Sequence, residues 1–322
     1  MEVVAVDIGG THARFAIAEV AEGRVASLGE AVTLKTADYA SVQSAWQAFG
    51  AQAGRPLPRN AAIAVASPVG GEVIKLTNNP WIIRPAMIPS RLEVDQFSLI
   101  NDFGAVGHAV AQAPSSDFLH LAGPDVPFKE RGVITVCGPG TGLGVAQVLR
   151  TDHDYHVLPT EGGHTDFAPL DRLEDAIVQH LRPIYRRVSA ERIVSGPGIV
   201  GIYETLAAMG GQAVPRLDDK AIWTMALAGT DSLALDALDR FCQALGAVAG
   251  DLALAHGAMG VVIAGGLGLR LKDHFARSGF AERFAAKGRF EAMMSAIPVK
   301  LIVHPQPGLY GAAAAFAQEH AR

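Results

Sequence analysis

The stretch Asp7-Ile8-Gly9-Gly10-Thr11 separates two apolar runs, residues 2–6 and residues 13–20. Both runs are rich in β-branched and small residues and are too short for helices, so the segment predicts strand, glycine turn and strand. A similar unit recurs near mid-chain, where Gly138-Pro139-Gly140-Thr141-Gly142 separates the runs 133–137 and 143–149. Because the two units share one order of strand and turn, this echo predicts two related α/β halves facing each other.

The remaining apolar segments predict further strands and helices. Short runs predict strands at 61–66, 97–100, 155–158, 260–264 and 299–303. Longer segments predict helices at 41–53, 173–181, 198–208, 220–228, 232–256 and, after Pro305 and Pro307, 309–319. No low-complexity linker interrupts the chain, so we expect the domain boundary in a compact crossover near residues 105–115.

Length and composition restrict the class of protein. At ~100–200 residues per domain, 322 residues predict two domains, with one large domain as the alternative. A hydrophobic content of 49% and a mean hydropathy of +0.23 exclude global disorder. The net charge of −5 and the isoelectric point of about 6.1 favour neither nucleic acid nor a membrane surface as a partner.

The cysteines and the first residues indicate a reduced, internal compartment. Cys137 and Cys242 are too few and too far apart for a disulfide framework or a Cys-rich zinc site. The acidic start of the chain differs from the basic start of a signal peptide, and the long uncharged stretches are broken by glycine or proline. We therefore expect a cytoplasmic protein.

The two glycine turns are candidate phosphate sites. Glycine lets backbone N–H groups converge on an anion, and a threonine hydroxyl adds a donor. Asp7 would repel a bare phosphate but suits one that carries a metal ion. The alternative is that both turns are ordinary hairpin turns.

Two rival nucleotide signatures are missing from the sequence. No Gly-x4-Gly-Lys-Ser/Thr P-loop occurs, and Leu143 stands where a dinucleotide fingerprint needs its third glycine. Walker-type ATPases and ordinary dehydrogenases are thereby disfavoured.

Asn101 and Asp102 follow the predicted strand at 97–100. A carboxylate at a strand end can accept a proton from a substrate hydroxyl while the neighbouring amide holds that substrate. The alternative is that both residues cap a helix beginning near Phe103, because Asn and Asp are favoured there.

Glu161-Gly162-Gly163-His164 brings an acid and an imidazole onto one glycine turn. Without further metal-ligating residues beside it, the turn indicates a hydrogen-bonding clamp for a polyol rather than a metal site. Glu191 is also a candidate for binding the polyol, although it could equally offset the dipole of a helix.

Two further groups of residues have simpler interpretations. The cluster Asp152, His153, Asp154 and His156 is interpreted as a solvated hairpin tip. Trp81 could pack under a ligand or fill a core.

Read together, these motifs resemble the bacterial glucokinase family over essentially the whole chain. The matching segments, in family order, are Asp7–Arg14, Thr77–Trp81, Ile100–Phe103, Gly138–Gly144, Glu161–Pro169, Ser189–Gly198 and Gly260–Gly266. The stretches EGGH-x-DFAP and SAER-x-x-SGPG are the most specific.

The resemblance implies roles for single residues. Asp102 corresponds to the catalytic base, and the residues that bind the sugar hydroxyls are Asn101, Asp102, Glu161, His164 and Glu191. The first phosphate loop corresponds to Gly9, Gly10 and Thr11, and the second to Gly138, Gly140, Thr141 and Gly142. Gly265 and Gly266 correspond to the turn on the adenosine side of the nucleotide. Asp7 is expected to contact Mg²⁺ through water and not as a direct ligand. His12 and Pro139 depart from the family's usual Asn and Ala.

The resemblance also implies fold, cofactors and partners. It predicts a two-domain hexokinase/actin-like (RNase H-like) α/β fold with a cleft between the domains. The small domain would hold residues 1–110 and the terminal helix 306–322, and the large domain residues 111–305. The expected reaction is ATP- and Mg²⁺-dependent phosphorylation of glucose at the 6-hydroxyl, the first step of glycolysis, by a homodimer.

Three alternatives remain open. A kinase for another hexose or an amino-sugar would keep every loop described above. A non-catalytic sugar sensor would be expected to lose Asp102 or a phosphate loop, and this chain keeps both. An actin-like ATPase or filament subunit would share the loops but has no reason to carry EGGH together with SAER.

Overall fold

The computed structural model describes residues 1–76 and 79–321 as a mixed α/β protein. Its strands are β1 Glu2–Ile8, β2 His12–Ala21, β3 Arg24–Leu28, β4 Val32–Lys35, β5 Asn60–Val65, β6 Ile74–Lys75, β7 Ile82–Ile83, β8 Gln96–Asn101, β9 Phe118–Ala122, β10 Gly132–Pro139, β11 Leu143–Arg150, β12 Tyr155–Thr160, β13 Ala258–Ile263 and β14 Val299–Ile302. Its helices are α1 Val42–Ala53, α2 Ile88–Leu92, α3 Asp102–Gln112, α4 Arg172–Tyr185, α5 Ala190–Ile193, α6 Gly198–Met209, α7 Asp219–Ala228, α8 Ser232–His256, α9 Gly265–Arg270, α10 Lys272–Phe275, α11 Phe280–Ala285, α12 Glu291–Ser295 and α13 Pro307–His320. Thr77 and Asn78, part of one family-like segment, and Arg322 lie outside the described residues.

The chain forms two compact units. The first unit comprises Met1–Pro114, Val157–Pro159 and His304–Arg322, and the second comprises Ser115–His156 and Thr160–Val303. The sequence predicted domain boundaries at 110/111 and 305/306. The assignment of these units as functional domains, like the cleft, stays a prediction.

The first unit is built on a sheet of order β3-β2-β1-β5-β8, with β4 paired to β2. Strand β1 pairs antiparallel with β2 and parallel with β5, which in turn pairs parallel with β8. Ile8 is in register with Val65, and Val65 with Asn101. The carboxyl ends of the three parallel strands therefore lie at one edge of the sheet.

One face of this sheet is covered by α13, the helix near the end of the chain. Leu309, Ala313 and Phe316 on α13 are fully buried in a cluster with sheet residues such as Ala5 and Ala62. Small residues let α13 approach closely: a Cβ on Gly311 would overlap the carbonyl oxygen of Ala105 on α3. The last helix of the chain thus completes a core begun by its first strand.

The second unit repeats this arrangement in a sheet of order β12-β11-β10-β13-β14-β9. Strand β10 pairs antiparallel with β11 and parallel with β13, as β1 does with β2 and β5. Helices α4, α6 and α8 pack their buried residues into the larger core of the unit. The predicted echo between two α/β halves is confirmed.

The predicted strands and helices are all present, most with shifted ends, and the helix predicted at 232–256 is α8 with the same bounds. The strand predicted to end at Cys137 continues to Pro139, and the last helix begins at Pro307, where a proline has no hydrogen-bonding N–H to lose. Strands β3 and β9 were missed because each lies at a sheet edge with partly exposed residues and lacks a continuous apolar run. Within residues 1–76 and 79–321, no helix is both long and apolar enough to cross a bilayer.

Candidate active site

The first glycine turn connects β1 to β2 and is held through its carbonyl groups. The Gly9 carbonyl accepts from the side-chain amide of Asn79 at 3.2 Å, and the Gly10 carbonyl accepts from the Thr36 hydroxyl at 3.1 Å. The Thr11 carbonyl accepts from the Thr36 amide at 3.0 Å. These three hydrogen bonds fix the backbone of the turn. A fixed backbone is needed if its N–H groups are to converge on an anion.

Asp7 lies on β1 just before this turn. Burial raises the pKa of the Asp7 carboxyl, and this effect is opposed by the Arg14 guanidinium, whose Nη1 lies 3.1 Å from Oδ2. The side chain of Arg14 is partly exposed whereas that of Asp7 is largely buried. The Asp7 carboxylate therefore lies beside the glycine turn with its negative charge balanced by the Arg14 guanidinium.

Asn101 and Asp102 occupy the junction between β8 and α3. The Oδ1 atom of Asn101 accepts from the amides of Phe103 at 2.9 Å and Gly104 at 3.1 Å. Asp102 is the first residue of α3, and its Oδ1 accepts from the Phe103 amide at 2.9 Å. Asn101 therefore caps the helix through Oδ1, while its Nδ2 donates to the Ser67 carbonyl at 3.5 Å.

The first glycine turn and Asp102 lie at the same edge of the first sheet. Strands β1 and β8 are separated by β5 alone. Adjacent strands are spaced about 4.8 Å apart, so the backbone ends of β1 and β8 lie roughly 10 Å from each other. The fold thereby brings Asp7 and the first turn near the carboxylate of Asp102, as the sequence predicted only through the resemblance.

The second glycine turn is shorter than the sequence predicted. Gly138 and Pro139 belong to β10, where they pair with Gly144 and Leu143, so that only Gly140, Thr141 and Gly142 form the turn. The Gly140 amide donates to the Gly142 carbonyl at 2.8 Å, which closes the turn on itself. The Gly140 carbonyl accepts from the Gly196 amide at 2.7 Å.

The turn at Gly265 lies against this second glycine turn. Gly265 follows β13 in the left-handed region at φ +82°, and a Cβ on it would lie 2.7 Å from the Pro139 carbonyl oxygen. Gly266 has open space around its Cα. Because β10 and β13 are parallel neighbours, their carboxyl ends place the two turns at one edge of the second sheet.

Glu191 reaches the second glycine turn directly. It lies on α5, and its Oε2 accepts a hydrogen bond from the Leu143 amide at 2.8 Å. The sequence left Glu191 open between a dipole role and a ligand role. The structure gives its carboxylate a definite backbone partner at the end of the turn.

Glu161 precedes a single turn of 3₁₀ helix, Gly162–His164, of which His164 is the last residue. Both side chains are exposed, with the Glu161 Oε2 atom 4.0 Å from the His164 Nε2 atom. Between them, Gly163 is packed so closely on Leu143 that a Cβ would overlap the Leu143 carbonyl oxygen. The turn leaves the two polar side chains open to a ligand while its backbone is held on β11.

A short ribbon joins the segment after His164 to the segment before Glu191. The Ala190 amide donates to the Thr165 carbonyl at 2.8 Å, and the Phe167 amide donates to the Val188 carbonyl at 3.1 Å. Arg187 pairs with the Asp166 carboxylate and donates to the His164 carbonyl. The sequence did not predict a role for Arg187, although Asp166 within EGGH-x-D was an available signal.

Other candidates of the sequence analysis lie elsewhere. Asp152, His153 and Asp154 lie in the connection between β11 and β12, where the Thr151 amide donates to the Asp154 carbonyl at 2.8 Å; His156 lies on β12 itself. Trp81 is buried in the core and its indole N–H donates to the Tyr39 carbonyl, so it fills a core. In the described part of the chain, no three His, Cys, Asp or Glu residues are grouped to hold a metal ion.

The comparisons with known proteins decide the family. The sequence model described as Glucokinase matches residues 4–319. A curated glucokinase from Zymomonas mobilis subsp. mobilis is 63% identical over 320 residues, which is 99% of each chain. The chain belongs to the glucokinase family. The resemblance stated from the motifs is confirmed.

Solved structures agree with this membership. A glucokinase from an Antarctic psychrotroph matches with a TM-score of 0.86 and 33% identity, covering 98% of each chain. A glucokinase from Balamuthia mandrillaris, crystallised in complex with glucose, has a TM-score of 0.76 over 98% of this chain and 93% of that one. At 23% identity the second likeness shows the fold alone. The predicted two-sheet α/β fold class of sugar kinases is confirmed.

Proposed function

We propose that this chain transfers the γ-phosphoryl group of Mg·ATP to the 6-hydroxyl of D-glucose, giving glucose 6-phosphate and ADP. The observation that carries the proposal is membership of the glucokinase family over residues 4–319, with a relative 63% identical. By that membership the chain is an ATP-dependent glucose kinase, a transferase. The atom that is phosphorylated, the metal ion and the roles of single residues belong to the proposal.

Asp102 is proposed as the general base. Its carboxylate begins α3 at the edge of the first sheet that also carries the first glycine turn. It would accept the proton of the sugar hydroxyl as that oxygen attacks phosphorus and the bond to the leaving ADP oxygen breaks. Because the transition state of phosphoryl transfer is loose, positioning and charge stabilisation carry most of the rate enhancement.

The sugar hydroxyls are proposed to bind Asn101, Asp102, Glu161, His164 and Glu191. Oδ1 of Asn101 caps α3, and Nδ2 donates to the Ser67 carbonyl at 3.5 Å. The second N–H of Nδ2 would donate to a sugar hydroxyl. Exposed Glu161 and His164 offer an acceptor and an imidazole, and Glu191 offers the oxygen that does not bind Leu143. Such a site rejects analogues that lack a hydroxyl because its own polar groups are then left unpaired.

The phosphate groups are proposed to bind the two glycine turns. Gly9, Gly10 and Thr11 form the first cradle, Gly138, Gly140, Thr141 and Gly142 the second, and Gly265 with Gly266 the adenosine side. The Gly9 and Gly140 amides already donate within their turns, to the His12 and Gly142 carbonyls. The other backbone amides of the two turns would hold the phosphate oxygens without charge of their own. Asp7 would contact the metal ion of Mg·ATP through water, which fits its compensated charge beside the first turn.

The cellular setting is proposed from the same reasoning. A homodimer acting in the cytoplasm on glucose and ATP, at the first step of glycolysis, is what the family resemblance implies. The two free, buried cysteines are consistent with that compartment.

The experiment that tests the proposed function is a coupled assay of ADP release. Glucose, mannose, fructose and N-acetylglucosamine are each supplied with ATP, and magnesium is then removed with a chelator. We expect turnover with glucose to exceed that with the other sugars and to require magnesium. Equal or greater turnover with another sugar would instead identify a kinase for that hexose or amino-sugar.

A further inference from the structure

The peptide groups on both sides of Leu143 contact the two segments proposed to bind sugar, one through Glu191 and the other through Gly163. Its N–H donates to the Glu191 Oε2 atom at 2.8 Å. Its carbonyl oxygen is covered by Gly163 so closely that no Cβ fits between them. Leu143 directly follows the turn Gly140-Thr141-Gly142, so any movement of this residue moves the last peptide of the turn.

The space around Glu191 is shaped for this contact. A Cβ on Gly142 would overlap Oε2 of Glu191, so only glycine lets the carboxylate reach the Leu143 amide. On the far side of the turn, the Gly196 amide holds the Gly140 carbonyl at 2.7 Å. Both Glu191 and Gly196 belong to one short segment, which therefore grips the turn at its two ends.

We propose that Glu191 couples sugar binding to nucleotide binding through the peptide group of Leu143. The inference rests on the proposed function, in which Glu191 contacts the sugar and the second glycine turn contacts phosphate. A sugar on one carboxylate oxygen fixes the rotamer of Glu191, and the other oxygen then fixes the turn in its phosphate-binding form. Whichever ligand binds first therefore fixes Glu191 and the turn, so that the second ligand binds with a smaller loss of conformational entropy. The effect is the same in both directions.

The test measures affinity for the non-hydrolysable analogue AMPPNP with magnesium, by calorimetry, with and without saturating glucose. The ratio of the two dissociation constants is the coupling factor. We expect the wild-type factor to be at least about fivefold. A purely structural role of Glu191 would change both constants together and leave their ratio unmoved.

Four variants separate the coupling from sugar contact. Glu191→Ala removes the acceptor of the Leu143 amide, and Gly142→Ala displaces the carboxylate from the opposite side. In both, the coupling factor should fall toward one. Glu191→Gln keeps an oxygen that can accept the same hydrogen bond, so it should retain coupling even where glucose affinity drops. Glu161→Ala is the matched control, because it removes an exposed sugar-side carboxylate that lies beside His164.

The possible results are distinct. A wild-type factor of one, or a wild-type factor retained by Glu191→Ala or Gly142→Ala, overturns the coupling while leaving the proposed function intact. Wild-type protein that binds neither glucose nor AMPPNP overturns the proposed function itself. Circular dichroism of each variant verifies that it is folded before its two constants are compared.

Discussion

Gly308, in the first turn of α13, lies so close to Asp7 that a Cβ built on it would stand 2.6 Å from the Oδ2 atom of the carboxylate. A residue near the end of the chain thus sets the room available to a carboxylate near its beginning. Arg14 holds the same oxygen from another side at 3.1 Å. Asp7 is fixed between a charge and a helix.

Gly308→Ala should therefore displace Asp7. A misplacement of about 1 Å at a catalytic group can reduce the rate by about 100-fold, and overpacking destabilises a core by ~1–3 kcal/mol. We expect a lower kcat and a higher magnesium concentration for half-maximal rate, measured by magnesium titration at saturating glucose. Gly70→Ala is the control, because a Cβ there meets nothing within 4 Å. An unchanged magnesium titration would show that Asp7 does not serve the metal ion.

Replacing Asp102 tests the general base. Asp102→Asn keeps the size of the side chain but cannot accept the hydroxyl proton, so kcat should fall by about 10²–10⁴. The measurement is steady-state turnover of glucose, with thermal unfolding followed in parallel. Asp175→Asn, which also removes an acid from the first turn of a helix, should leave kcat unchanged. Near wild-type turnover of Asp102→Asn would remove the base from the mechanism.

Two variants of Asn101 distinguish its role as the N-cap of α3 from its proposed role in binding a sugar hydroxyl. Asn101→Asp keeps an oxygen for the amides of Phe103 and Gly104 but loses the N–H donor, so stability should hold while the glucose KM rises roughly tenfold. Asn101→Ala loses both functions, and the free energy of unfolding should drop by about 1 kcal/mol as well. Urea unfolding and glucose titration check the two effects. Identical behaviour of the two variants would contradict the division.

Acid should destabilise the protein through His108 on α3. Burial lowers the pKa of His108 from its ordinary value of 6.5 to about 4, so the fold favours the neutral ring. The stabilisation is fully present above pH 6.5 and is lost as the pH falls toward 4, by up to about 3 kcal/mol. Urea unfolding at pH 7.5 and 4.5 measures this loss, and His108→Gln should reduce it. Burial also lowers the pKa values of His256 and His274, and, against the opposing effect of burial, hydrogen bonds lower that of the Asp171 carboxyl, so these groups should leave some acid sensitivity in the variant.

The sequence predicted the features of this fold that depend on neighbouring residues. The two glycine turns and the strand predicted at 97–100 follow from local patterns of apolar and glycine residues. Helix α3 was anticipated only as the alternative in which Asn101 and Asp102 are capping residues, and the structure shows that helix from Asp102. The edge strands β3 and β9 were not predicted, because their partly exposed residues show no hydrophobic pattern that distinguishes them from loops.

The contacts that build the site were harder to predict. Glu191 and Leu143 are 48 residues apart, and Asp7 and Gly308 lie at opposite ends of the chain. No local propensity reports such pairs, because they depend on the tertiary path of the backbone. The family resemblance supplied the proposed site residues, but their backbone partners came only with the structure.

The packing of α13 has a consequence for biosynthesis. On the ribosome, strands β1, β2 and β5 emerge long before the helix that covers the face formed by Val3, Ala5 and Ala62. Residues of the second unit are all synthesised in the interval. The face that α13 covers therefore stays without that helix until residues 307–320 have been synthesised, and this nascent apolar surface is where a chaperone would be expected to act.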